Sequence, residues 1–372
     1  MKIIKNKRYY RKRGKYRFNH KKYISKKKSS LNKRNNKTKN SSKSEFSRYC
    51  FKVINVIILI ISNIIIIYNK EKNEKINTFG LSLEQKMNDY LTKKFAVFGR
   101  RVCPRCGLFC FYIIHLGCLN KYLLKGYIPI IDMQNYDSIY NRGNRSIKNP
   151  WELYFYQPNN YTLEEVQKYA KTIKYVKCDH SFYRPDELNI YHQNDSMQFW
   201  HNLQKKYMPI RNEIVHEAEL KMKYFFGNSK NVLGVLIRGT DYIYLRPGGH
   251  AIPPKVERVI TDVKKIDKKN NYDYIYFTSE DEEIKKKFIP EFKDKIRYLN
   301  PKLSFKYIDK NITNINQQIR EFHDFVRIYV INIVIISKCL DVVISRCYGA
   351  ASAVILTEGF RYSKVYNLGL YK

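Results

Sequence analysis

The sequence predicts an α/β fold of parallel sheets covered by helices, preceded by one membrane-crossing helix. Three observations carry this. From Phe95 onward, short β-branched and aromatic runs alternate with longer segments at helical spacing, the pattern of βαβ units whose sheets are buried on both faces. The 372 residues are 44% apolar, enough for one large core or two medium ones. Ahead of that region lies Val53–Tyr68, VINVIILIISNIIIIY, apolar except for Asn55, Ser62, Asn63 and the terminal Tyr68.

Residues 1–50 hold 20 Lys/Arg and one acid, Glu45, so they carry +19 of the net +37. So basic and hydrophilic a stretch cannot bury a core, and we expect a disordered cytoplasmic tail. Residues 51–69 are the expected transmembrane signal-anchor. The sixteen residues from Val53 span roughly 24 Å as a helix, slightly less than the ~30 Å hydrocarbon core. Lys52 and Lys70 can snorkel, and the bilayer can thin. A cleaved signal peptide fits worse: the basic tail is far longer than an n-region, and no alanine precedes Ala96. The charged flanks also argue against a buried core helix. The excess of positive charge before the segment places 1–50 in the cytoplasm and the rest outside or in a lumen. That is a single-pass type II topology, facing the Golgi or ER lumen in a eukaryote and the cell envelope in a bacterium. The tail suits anionic lipid head groups. Its Lys/Arg interleaved with Tyr and Phe also suits nucleic acid, but the folded part lacks a nucleic-acid module, so no nucleic-acid partner is expected.

A charged stem, 70–94, leads to the globular part. Gly107–Lys125 reads as an apolar helix, Gly126–Met133 as a strand, Leu163–Lys171 as a helix and Ile173–Lys177 as a strand. Ser196–Phe226 reads as one long helical stretch. After Asn231 the alternation sharpens. Strands at Val232–Ile237, Tyr272–Thr278, Asp341–Ile344 and Val365–Asn367 are separated by helices at Pro253–Ile266, Asp281–Phe288, Phe322–Lys338 and Gly349–Glu358. The eight cysteines are too few for a disulfide scaffold. Cys103-Pro-Arg-Cys106 has no second pair or histidines at ligand spacing, so thiols or a disulfide fit better than zinc.

Open parallel sheets bind ligands beyond the carboxyl ends of their strands, and three predicted strand ends carry polar groups. The first is Arg238-Gly239-Thr240-Asp241. The second is Thr278-Ser279-Glu280-Asp281, in which Asp281 also fits a helix N-cap. The third is Ser345-Arg346, followed by Gly349 to Ser352 opening a helix. A small-residue turn into a helix collects free N–H groups, and an arginine can clamp a diphosphate bidentately. Together the three ends suggest a nucleotide-diphosphate pocket. No P-loop, G-x-G-x-x-G, G-x-S-x-G or H-E-x-x-H motif occurs.

With these blocks in place, the chain resembles the fucosyltransferase superfamily of GT-B fold, which includes α1,6-fucosyltransferases, nodulation-type fucosyltransferases and protein O-fucosyltransferases. The resemblance runs from about Phe98 to Lys372. It rests on CGLFCFYIIHLGCLNKYLLKGYIPIIDMQNY, NPWELYFYQP, VLGVLIRGTDY with RPGGHAIPP, YIYFTSEDEE, and SKCLDVVISRCYGAASAVILTEGF, in that order. It implies two Rossmann-like domains facing a cleft: residues 95–230 on the acceptor side and 231–372 binding the nucleotide sugar. It implies that Arg238 holds the donor diphosphate, with Gly239 beside it. It places Asp281 near the donor nucleoside and the turn from Gly349 to Ser352 at the donor phosphate; Ser279, Glu280 and Arg346, from the same strand ends, complete the expected donor-binding set. Gly239 departs from the family pattern, in which a second basic residue often follows the arginine.

The expected function is a membrane-anchored, inverting glycosyltransferase that moves fucose from GDP-fucose to a glycan, glycolipid or glycoprotein. No cofactor is expected beyond this donor substrate. No D-x-D motif is present, so metal independence is expected, with Arg238 stabilising the leaving group. Asp241 is the catalytic partner candidate by proximity, and His250 ranks below it as a base. The alternatives are another nucleotide sugar, a sugar- or nucleotide-binding protein without turnover, and a membrane-tethered nucleic-acid binder.

Overall fold

The computed structural model describes residues 82–99, 106–142, 144, 146, 148–178, 191, 195–239, 241–299 and 315–372; for 195, 241 and 315–318 it describes the backbone alone. All fall within one compact unit, residues 75–372. The basic tail and the 51–69 segment lie outside the described residues. Among the described residues no helix is long and apolar enough to cross a membrane.

The stretch read as stem contains a helix, α1 (Leu83–Thr92). Ser82 and Gln85 cap it reciprocally, side chain to backbone. Its one buried residue is Tyr90, packed against Phe95 and edge-on to Tyr161. A single anchor in a polar helix leaves almost no periodic signal. Next come β1 (Lys94–Gly99), α2 (Leu108–Leu123), β2 (Tyr127–Asp132), α3 (Leu163–Tyr169) and β3 (Thr172–Lys177). The strands form a parallel sheet in the order β2-β1-β3. Alternation along β1 sends Phe95 and Val97 toward Tyr90, Leu163 and Val166, and Ala96 and Phe98 toward α2. A Cys118–Cys178 disulfide ties α2 to the residue after β3. Cys106 is also disulfide-bonded.

Ser196–Phe226 forms two helices, α4 (Asp195–Tyr207) and α5 (Asn212–Phe226). The break falls at Met208-Pro209-Ile210. Proline cannot supply the helical N–H, and Ile210 instead bridges to Phe155.

The second half contains β4 (Val232–Leu236), α6 (Asp241–Tyr244), α7 (Val256–Asn270), β5 (Tyr274–Thr278), α8 (Glu282–Phe288), β6 (Ile296–Arg297), α9 (Ile315–Ser337), β7 (Asp341–Ser345), α10 (Tyr348–Leu356) and β8 (Tyr362–Tyr366). Its five strands are parallel, in the order β6-β5-β4-β7-β8. The short β6 was not legible in the sequence. Leu233, Val235 and Ile237 face the core under α7 and α8, whereas Val232 and Leu236 face α9 and α10. Gly234 lets α9 approach the central strand: a Cβ there would stand 3.1 Å from Cys339 Sγ and 3.2 Å from Ile336. At the start of β7, the buried Asp341 carboxylate accepts from the Tyr272 hydroxyl, from Arg361 Nε (3.2 Å) and from the Tyr362 amide (2.9 Å). A buried carboxylate needs such saturation.

The α9 helix also joins the first half. His323 Nε2 lies 2.9 Å from the Tyr140 carbonyl, which can only accept, so the neutral ring carries its proton there. Nδ1 then accepts from the Tyr154 hydroxyl at 2.5 Å. Burial holds the His323 pKa below its ordinary value, partly offset by the Tyr140 carbonyl and Asp324. A histidine depressed in the fold contributes its full stability above its ordinary pKa of about 6.5, and that contribution is lost as pH falls through the lower folded value. The melting temperature is expected to drop as pH is lowered from about 6.5, with His323→Gln flattening that drop. Parallel pH curves for the two proteins would refute the assignment.

Candidate functional site

Strands run outward from β4 through β5 to β6, then resume on its other side with β7 and β8. The order reverses between β4 and β7, and open α/β sheets hold ligands in the crevice at such a reversal. The carboxyl ends of β4 and β7 are tied together there: the Arg238 amide donates to Ser345 Oγ at 2.7 Å.

The Arg238 guanidinium pairs with Glu280 Oε1 at 3.2 Å, and the same oxygen accepts from the Gly239 amide at 2.9 Å. Arg238 also lies over the Tyr242 ring, 4.9 Å from its centroid, close enough for cation–π attraction. The two side chains of the ion pair are 24% and 21% exposed, so the guanidinium is partly covered yet still reached from the crevice. A doubly charged anion entering the crevice would compete with Glu280 for the guanidinium.

Gly239 follows from its surroundings. A Cβ there would come within 2.4 Å of Asp281 Cβ, so no second basic residue fits beside Arg238. Asp281 is buried and acts as the N-cap of α8, accepting from Glu283 N at 2.9 Å and Ile284 N at 3.2 Å. Ser279 Oγ accepts from the Asp281 amide at 3.2 Å.

A cavity of about 40 Å³ opens beside Arg238, Ser279 and Glu280 and is closed by Tyr329 and Asn332 of α9 and Cys347. Where one water needs about 10–15 Å³, this is room for about three waters, the scale of a phosphoryl group. Lys285 also lines it from α8; it is only 8% exposed, and its ammonium donates to Glu282 at 2.7 Å.

The other sequence-selected residues lie outside the cavity lining. Arg346 reaches toward β8, donating to Asn367 Oδ1 at 2.8 Å. Gly349 and Ser352 are buried in α10, and the Ser352 hydroxyl has no hydrogen-bond partner among the described residues. The Asp241 side chain falls outside the described residues. His250 is exposed and meets the Tyr242 ring edge-on at 5.2 Å. Its loop pairs with residues 369–371 through Gly249 N to Tyr371 O (2.8 Å) and Tyr371 N to His250 O (2.9 Å). Among the described residues no group of three or more His, Cys, Asp or Glu could hold a metal ion.

Sequence reading missed Tyr242, Lys285, Tyr329 and Asn332. The last two sit in an apolar helix, where they read as core. The available signal was their hydroxyl and amide within an otherwise aliphatic run.

Fold and site together define an α/β protein with two parallel sheets and a charged crevice at the reversal point of the larger one. No family model matches the chain, and no curated protein matches it. Solved structures similar to it include fucosyltransferase NodZ from Bradyrhizobium, 14% identical, with TM-score 0.42 over 72% of this chain and 94% of that one. POFUT1 in complex with GDP-fucose is 10% identical, with TM-score 0.42 over 74% and 98% of the two chains.

Gly239→Ala is expected to displace Asp281 and uncap α8. Loss of such a cap costs about 1 kcal/mol, up to roughly 2, so the melting temperature should fall. Gly239→Ala with wild-type stability would show that the contact with Asp281 is not tight.

Proposed function

We propose that the chain is a glycosyltransferase that transfers fucose from GDP-fucose to a glycan, glycolipid or glycoprotein acceptor. The observation that carries this reading is a partly exposed Arg238 at the reversal point of a parallel sheet, fixed by its own backbone to Ser345 and beside a cavity of phosphoryl size. The sequence blocks quoted above direct the choice of donor.

In the proposed step the acceptor oxygen attacks the anomeric carbon as the bond from that carbon to the phosphate oxygen breaks. The bonding pair leaves with GDP, the acceptor proton passes to a base or to water, and in-line attack inverts the centre. Charge grows on the diphosphate as the bond breaks. A guanidinium already in place stabilises that state over the ground state. Asp241 is the base candidate, with His250 second. Anchoring through residues 51–69 in type II orientation belongs to the same proposal and rests on composition. The buried Cys118–Cys178 disulfide supports an oxidising compartment for the folded part.

The pair with Glu280 favours a second reading, in which Arg238 only holds its loop. The two separate on Arg238→Ala and Arg238→Lys. A leaving-group role predicts a rate loss of about a hundred- to a thousandfold for Ala and partial recovery for Lys, which lacks the two-pronged geometry. Because Glu280 keeps the Gly239 amide as a donor, melting temperature should change far less than turnover. A stable Ala variant with unchanged turnover would eliminate the assignment. Turnover is also expected to persist in EDTA, since the guanidinium supplies the positive charge. Complete loss with rescue by Mn²⁺ would overturn that part.

A further inference from the structure

The hydroxyl of Tyr329 points at a place where only a glycine leaves room for it. An added Cβ on Gly349 would stand 2.2 Å from Tyr329 Oη. The ring packs edge-on against Phe109 of α2, at 5.3 Å between centroids. The hydroxyl has no hydrogen-bond partner among the described residues, and its residue lines the same cavity as Arg238 and Glu280. Burial raises the phenol well above its ordinary pKa, so the group is a neutral O–H donor. A hydroxyl donor and a guanidinium on residues that line one cavity, with room for about three waters, suit an acceptor with several oxygens.

Resting on the donor reading above, we propose that Tyr329 is a positioning residue for the donor, its hydroxyl donating to a phosphate oxygen of the diphosphate held by Arg238. The two groups then grip the diphosphate from two elements: Arg238 follows β4, and Tyr329 comes from α9. The glycine at position 349 leaves the hydroxyl the room it occupies. Phosphate contact also separates Tyr329 from residues that would read the base or the sugar, because its loss should weaken diphosphate ligands and leave a bare nucleoside untouched.

The test is calorimetric titration of the detergent-solubilised full chain with GDP and with guanosine, alongside thermal unfolding, for wild type, Tyr329→Phe and Gly349→Ala. Phenylalanine keeps the ring contact with Phe109, so the melting temperature should not move. The dissociation constant for GDP should rise about ten- to a hundredfold, the usual range for a hydrogen bond to a charged group, with guanosine binding unchanged. Gly349→Ala must push the hydroxyl away and should produce the same selective loss in an otherwise wild-type site. Unchanged GDP affinity in Tyr329→Phe overturns the proposal and leaves the donor reading standing. Equal losses for GDP and guanosine, or losses that track melting temperature, also overturn it, since they mark a structural role. Failure of the wild type to bind any nucleoside diphosphate removes the donor reading and this proposal together.

Discussion

The structure depends on the complete burial of one strand. Every residue from Val232 to Leu236 is buried, because β4 is central in its sheet and helices cover both of its faces. A strand in that position cannot carry a charge along its length without the large cost of desolvating it. The first place a charged group can emerge is the strand's end, and there Arg238 stands. Gly234 sharpens the constraint: α9 sits so close that even a methyl group would press on Cys339 and Ile336. The position of α9, and hence of everything it carries into the crevice, is set by that contact.

One oxygen of Glu280 serves both the guanidinium of Arg238 and the amide of Gly239, and the guanidinium lies over the Tyr242 ring. This arrangement keeps the guanidinium from searching rotamers, while its partial exposure leaves it within reach of the crevice. Pre-organisation and availability are thus met by the same carboxylate. Asp281, a few atoms away, does a different task as the cap of α8, and its bulk fixes the residue after Arg238 as glycine. Two adjacent acids in the sequence therefore have separate physical roles, one at the rim and one in the wall.

Much of the fold was legible because buried parallel strands leave continuous apolar runs. The ends of those runs identified Arg238, Ser279 and Glu280 around the cavity. Three kinds of feature were not legible. The break between α4 and α5 was hidden by helical spacing on both sides of Pro209. The α1 helix showed only one buried anchor, Tyr90. Tyr329 and Asn332 sat in an aliphatic helix, where burial and lining a crevice look alike in one dimension. Arg346 and Ser352 are residue types suited to phosphate, yet one donates to Asn367 beside β8 and the other is buried in α10. Spacing specifies which element a residue belongs to. Which of its faces meets the crevice is set by how helices pack across the sheet.

The Cys118–Cys178 bridge has a consequence for the unfolded chain. It joins residues 60 apart in sequence, and closing a loop of that length removes denatured-state entropy equivalent to about 4 kcal/mol in the chain-entropy picture. That is a large share of the ~5–15 kcal/mol that separates most folded domains from their unfolded ensembles. The bridge falls in the half with the smaller sheet, where three strands leave β2 and β3 as edges among the described residues. Material made in a reducing cytosol would begin refolding from a wider ensemble than material made where thiols oxidise. The redox history of a preparation thus belongs to its thermodynamic state as much as temperature or pH does.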